Sequence, residues 1–188
     1  MAFLTINDVL LLQETWLQQS LPLTGFIEHF IPATTNKRFG RPGGGLSIYV
    51  SSNQEWHQEK IELEVSWLLC VKLKVNRPDQ TQMTVLLFNL YITPRTKDKK
   101  DRIKVLADII KDLRKTYTDA HYVVSGDFDI SLINTRVPAK PAKFATKKAD
   151  HTTSCLERLL TNGMHMLNGT IRDDFPPGIT CTSCKRGS

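Results

Sequence analysis

Trp67-Leu-Leu-Cys-Val-Lys-Leu-Lys-Val-Asn76, the turn Arg77-Pro-Asp79, and Met83-Thr-Val-Leu-Leu-Phe-Asn-Leu-Tyr91 form the stretch that decides the fold class. In the first run Trp67, Leu69, Val71, Leu73 and Val75 alternate with Leu68, Cys70, Lys72, Lys74 and Asn76. That period of two predicts a strand with one buried face. The β-rich second run follows a short turn, so the two predict an antiparallel hairpin.

Working outward, Val9 to Gln13 reads as a short buried strand ended by Glu14, and Phe26 to Pro32 as a second. The glycine-rich turn Gly40-Arg-Pro-Gly-Gly-Gly45 leads into a further strand, Leu46 to Val50. Asp101 to Tyr117 reads as a helix. Ile103, Leu106, Ile110, Leu113 and Tyr117 recur on one side of it, with Lys and Arg on the other. His121 to Ser125 reads as a strand broken by Gly126. Val137 to Ala149 is a Pro/Lys/Ala loop. Ser154-x-x-Glu157 is a capping box that opens a helix stopped at Gly163, and Met164 to Asn168 is a short strand. Strands thus come in hairpins as well as crossovers. This predicts two packed mixed sheets flanked by helices, a four-layer α+β or α/β sandwich, rather than a doubly wound sheet. At 188 residues the chain has room for one domain with a sizeable core.

The formal net charge is +6, and 18 of the 25 Lys and Arg residues lie beyond residue 94. Arg136, Lys140, Lys143, Lys147 and Lys148 fall in one stretch without an acidic residue. Such asymmetry suits a polyanionic partner, although a solvated basic loop has the same composition. No apolar run approaches the ~20 residues of a membrane span. Met1 to Leu12 has neither a basic leader nor a cleavage site. The expectation is an intracellular protein, nuclear if functional, with no membrane partner and reduced thiols at Cys70, Cys155, Cys181 and Cys184.

Three strand ends carry polar groups. Glu14 directly follows a buried strand, Tyr91 ends the hairpin, and Asp127 and Asp129 flank Phe128 after Gly126. At strand spacing the two aspartates share a face, where two carboxylates need a cation or a basic group between them. Each feature alone is common at the solvent end of a strand.

Taken in order, the pieces resemble the endonuclease/exonuclease/phosphatase superfamily with its deoxyribonuclease I-like fold. They are most similar to the apurinic/apyrimidinic-type endonuclease domain of non-LTR (LINE-type) retrotransposons. The resemblance rests on Asp8-Val-Leu-Leu-Leu-Gln-Glu-Thr-Trp16, Gly43-Gly-Gly-Leu-Ser-Ile-Tyr-Val50, Phe88-Asn-Leu-Tyr-Ile-Thr-Pro94 and Val123-Val-Ser-Gly-Asp-Phe-Asp129. Leu159-Leu-Thr-Asn-Gly-Met-His-Met-Leu-Asn168 and Thr180-Cys-Thr-Ser183 continue it downstream.

The resemblance implies a Mg2+- or Mn2+-dependent endonuclease that hydrolyses a phosphodiester of DNA by in-line attack of water. Glu14 matches the metal-binding glutamate, Tyr91 the tyrosine that hydrogen-bonds the phosphate, and Asp127 the aspartate that orients or deprotonates water. The basic residues from Arg136 to Lys148 would hold the flanking DNA, and a reverse transcriptase would follow in the same reading frame. Three departures are expected to impair activity. The family's first strand, with its asparagine, and its final strands, with an Asp-His pair, have no counterpart, so residues 1–188 read as one partial domain truncated at both ends. Asp150-His151 resembles that pair out of order and reads as a helix entry. Asp129 stands where the family has asparagine, and a carboxylate cannot donate to a phosphate oxygen.

Two alternatives follow within this reading: a catalytically dead nucleic-acid-binding remnant, and another phosphoesterase of the same superfamily. A third is a zinc site built from His151, Cys155, Cys181 and Cys184, although a lone C-x-x-C carries little specificity.

Overall fold

The structure is a computed structural model that describes residues 8–35, 42–76, 79, 81–92 and 99–128. The chain divides into two compact units, Met1–Thr96 with Lys111–Phe128, and Lys97–Ile110 with Asp129–Ser188. The first unit holds two sheets. One has the order β1-β3-β2, where β1 is Val9–Gln13, β2 Phe26–Ile31 and β3 Leu46–Ser51. The other has the order β4-β5-β6-β7, where β4 is His57–Ile61, β5 Leu68–Asn76, β6 Gln82–Tyr91 and β7 His121–Asp127. All pairings are antiparallel except β6 with β7, which is parallel and reached through the helix α1, Lys99–Thr116.

The two sheets pack through alternate residues. Leu46, Ile48 and Val50 of β3 meet Leu69, Val71 and Leu73 of β5 and Leu87 of β6 in one buried cluster. Burial of each such side chain contributes about 1.5–3 kcal/mol. Truncating the fully buried Ile48 to alanine would cost about 2–5 kcal/mol through lost transfer energy and the cavity left behind.

The outer face of β3 is also buried, at Ser47, Tyr49 and Ser51. The segment after β1 lies over it, tied down by Glu28. That carboxylate accepts hydrogen bonds from Ser20 Oγ (2.6 Å), the Leu21 amide (2.9 Å) and Ser47 Oγ (2.9 Å). Tyr49 Oη donates to the Leu21 carbonyl at 2.9 Å. Partial burial pushes the Glu28 pKa up, but its hydrogen bonds outweigh burial and hold it below the usual carboxylate value.

Contrary to the one-faced expectation, the first half of β5 is buried on both sides. Its outer face carries Leu68 and Cys70, beside Leu86, Phe88 and Leu90 of β6. Tyr122 of β7 stacks on Phe88 with ring centroids 6.3 Å apart. The last turn of α1 joins this surface, with the Arg114 guanidinium 5.3 Å from the Tyr122 ring centroid. Just beyond it, Lys72 Nζ lies 5.4 Å from the centre of the Tyr117 ring. Within α1, Ile103, Leu106 and Ile110 are buried at the helical spacing the sequence predicted. Asp101 in the first turn and Arg114 and Lys115 in the last complement the helix dipole. No helix among the described residues is long and apolar enough to cross a membrane.

One strand went unpredicted, and a further expectation is corrected. β4 was not predicted, because His-Gln-Glu-Lys-Ile has almost no apolar pattern. It is an edge strand keyed to β5 by a 2.5 Å ion pair between Glu59 and Lys72, and charge on an edge strand discourages further pairing. Gly126 does not break β7. It sits inside the strand with φ of +140°, where a Cβ would lie 2.0 Å from the Leu90 carbonyl oxygen. Lacking a Cβ, it lets β7 follow β6 as far as the pair Tyr91↔Asp127. The predicted elements beyond residue 128, at 154–163 and 164–168, lie outside the described residues.

Candidate active site

The C-terminal ends of β1, β6 and β7 meet at one rim of the sandwich. β1 gives way to Glu14-Thr15-Trp16, in which Glu14 (φ 51°) and Trp16 (φ 55°) both take left-handed backbone conformations. The Gly43–Gly45 segment holds this turn. The Thr15 amide donates to the Gly45 carbonyl (3.3 Å) and the Trp16 amide to the Gly44 carbonyl (3.0 Å). Gly45, at φ +90°, leaves no room for a side chain, since a Cβ would lie 2.4 Å from Thr15 Oγ1. The glycines are therefore part of how Glu14 is presented.

Tyr91, the last residue of β6, donates its phenolic hydrogen to Glu14 Oε1. Asp127, the last residue of β7, is the register partner of Tyr91, and the Ile92 amide donates to the Asp127 carbonyl at 2.8 Å. Tyr91 and Asp127 thus lie side by side on the face of their sheet that looks toward β1 and β3. Glu14 and Asp127 are exposed, while Tyr91 is half-buried. The three residues that the resemblance singles out in this region come from distant parts of the sequence and converge here.

One layer below, Asn89 is fully buried. Its Nδ2 donates to the carbonyls of Leu12 (2.9 Å) and Ser47 (3.1 Å), and its Oδ1 accepts from Gln13 Nε2 at 2.5 Å. A single amide therefore ties β6 to both β1 and β3 directly beneath Glu14 and Tyr91. Sequence reasoning gave Asn89 no role. The available signal was a lone amide in the apolar run Val85 to Tyr91, since a buried polar side chain needs partners and a buried one in a strand has to find them across a sheet.

Among the described residues no group of three or more His, Cys, Asp or Glu side chains forms a metal cage. The rim offers carboxylates at Glu14 and Asp127. That donor set suits a magnesium ion, which keeps several waters and binds through one or two carboxylates, and does not suit a fully protein-ligated zinc site. Asp129, Arg136, Lys140, Lys143, Lys147 and Lys148 lie outside the described residues, as do His151, Cys155, Cys181 and Cys184.

No protein-family model matches the sequence, and no curated protein does. Solved structures do match. The catalytic domain of Xenopus laevis APE2 aligns with a TM-score of 0.56 at 13% identity, covering 84% of this chain and 60% of that one. The human Nocturnin catalytic domain with bound sulfate anion aligns at 0.49 and 16% identity, over 68% of this chain and 53% of that one. D. rerio TDP2 complexed with single-strand DNA product aligns at 0.42 and 15% identity, over 68% and 50%. The chain spans about 60% of the first of these structures and about half of the other two. The match to the APE2 catalytic domain shows the fold, the deoxyribonuclease I-like α/β sandwich, as the strand pattern predicted for its two mixed sheets and as the resemblance implied for its type.

Proposed function

We propose that this chain carries a domain of a Mg2+- or Mn2+-dependent phosphodiesterase that cuts DNA, of the retrotransposon endonuclease type. The observation that carries this reading is the hydrogen bond from Tyr91 to Glu14 beside Asp127 at a common rim. Glu14, on a backbone clamped by glycine, would hold a divalent cation, which would supply neutralisation of the charge on the phosphate and on the leaving oxygen. Tyr91 fixes one oxygen of that carboxylate with its phenolic hydrogen. Asp127 orients a water for in-line attack and takes its proton. Asp129, in place of an asparagine donor, lowers the rate about 100- to 1,000-fold by analogy with loss of one oxyanion-hole donor.

Nicking of supercoiled plasmid tests this, with Mg2+ or with EDTA, for the wild type beside Glu14→Ala and Asp127→Ala. The expected result is slow nicking that needs the metal and disappears in both variants. Nicking that persists in EDTA or in both variants overturns the assignment. No nicking, with salt-sensitive DNA binding that EDTA leaves unchanged, selects the remnant reading in which the chain binds nucleic acid without cutting it.

A further inference from the structure

We propose, on the nucleic-acid reading above, that the cleft between the edge strands β2 and β4 takes a guanine base from the strand whose phosphate lies at the rim. The two sheets face each other through alternate residues, and on this side His29 of β2 meets Gln58 of β4. His29 Nε2 and Gln58 Oε1 are hydrogen-bonded at 2.9 Å, which closes the cleft at that step. Two residues further on, Ile31 and Lys60 hold the next inward-facing positions, beside Leu46 and Val71 of the core. There Lys60 pairs along its own chain, with Glu62 at 3.2 Å, and the cleft opens into a cavity of about 410 Å³.

The cavity belongs to the same rim as Glu14 and Tyr91. Ile31 and Gln13 are both register partners of Leu46, so β1 and β2 end level with each other. With β3 between them, their ends stand about 10 Å apart. The opposite wall runs from Leu63 to Ser66. The carbonyl of Trp67, which follows that wall, accepts from the Tyr91 amide at 3.0 Å. A base in the cavity can therefore belong to the nucleotide whose phosphate is at the site, or to its neighbour.

The lining defines the ligand. Ile31, Ile61, Leu63 and Val65 are half-buried and supply apolar walls for the flat faces of a base. The volume falls within the range of about 300–1,000 Å³ typical of small-molecule sites. The charged groups are one ammonium and two carboxylates, Lys60, Glu62 and Glu64. Their net negative charge repels a phosphate. An ammonium only donates and a carboxylate only accepts. The Watson–Crick edge of guanine has the complementary set, the O6 acceptor beside the N1–H and N2–H donors. No other common base has two adjacent donor positions on that edge. A base of a single strand is free to leave its stack and be read there.

The test compares thymidylate hexamers carrying one guanine, adenine, cytosine or hypoxanthine with plain hexathymidylate. Binding is measured in EDTA with the whole chain. Guanine is expected to raise affinity about tenfold, the scale of one good bidentate contact to a base. Hypoxanthine, which lacks the N2 amine, should lose most of that gain, and adenine and cytosine should not show it. Two variants read the ratio of guanine to thymine binding. One combines Glu62→Ala with Glu64→Ala, both at exposed positions, and the other is Ser66→Trp, whose indole would occupy the cavity from its exposed edge. Each should bring the ratio to one. A ratio of one in the wild type, a gain with adenine or cytosine as large as that with guanine, or a ratio unchanged in either variant overturns the proposal. Should Ser66→Trp fail to fold, as circular dichroism would report, the carboxylate variant carries the same comparison. If the guanine ratio holds while plasmid nicking fails, only the phosphodiesterase reading falls. If nicking holds and the ratio is one, only the guanine site falls.

Discussion

Tyr91 and Glu14, 77 positions apart in the sequence, are joined by a hydrogen bond from the phenolic hydroxyl to the carboxylate. One residue ends β6 and the other follows β1, so the bond closes the rim between the two sheets. It also uses one carboxylate oxygen and leaves the other to point elsewhere. Tyr91→Phe keeps the ring and removes only the donor. Metal-dependent nicking should fall about 10- to 100-fold, the scale of losing a partner that orients a metal-binding carboxylate. Far-UV circular dichroism should be unchanged, and a nicking rate equal to wild type would remove Tyr91 from the site.

Beneath that pair, the Asn89 amide makes three hydrogen bonds to β1 and β3 with its side chain fully buried. Asn89→Ala leaves the Leu12 and Ser47 carbonyls each short of a partner beside a fully buried site. The expected loss is about 2–4 kcal/mol of stability, since each stranded buried polar group costs about 1–3 kcal/mol. The urea midpoint reads it. A drop in nicking larger than the population of unfolded chain accounts for would show that Asn89 also positions Glu14 and Tyr91.

Much of the sandwich was legible because burial leaves a period in the sequence. β1, β3, the β5–β6 hairpin and α1 all announce themselves through alternating or helical runs. β4 does not, because an edge strand held by Glu59 and Lys72 needs no apolar stripe. The strand ends bearing Glu14, Tyr91 and Asp127 were legible as separate motifs. Their meeting was not, since a contact spanning 77 residues leaves no periodic trace. The roles of Asn89 and Gly45 depend on what lies across the sheet or behind the turn, and a linear pattern carries none of that.

Gly126 and Gly25 separate steric contact from backbone strain. Both have positive φ, but a Cβ on Gly126 would strike the Leu90 carbonyl, while one on Gly25 would meet nothing within 4 Å. Gly25→Ala should cost about 1–2 kcal/mol, the left-handed penalty alone. Gly126→Ala has to push β7 off β6 at the very step that aligns Tyr91 with Asp127. It should cost well beyond that and abolish nicking even where the chain remains folded. Equal midpoint shifts in denaturant for the two variants would show that β7 does not depend on this close approach.

The fold should weaken in alkali through two buried acids. Burial raises the Cys70 thiol to about 12, and burial together with the Glu28 carboxylate raises Tyr49 to about 12. In the unfolded chain these groups titrate near 9.0 and 10.0. Between those values and 12 the unfolded state has released protons that the folded state still holds, so stability falls as pH rises. Below pH 9 both groups are neutral in both states and the contribution is intact. Urea midpoints should therefore be level near neutrality and decline from about pH 9 upward. Cys70→Ala and Tyr49→Phe, despite their own packing losses, should each make that decline shallower. An unchanged slope in both variants would place the alkaline sensitivity elsewhere. The same burial makes Cys70 a poor nucleophile: the Cys70 peptide should resist alkylation at pH 8 in the folded protein and react in urea.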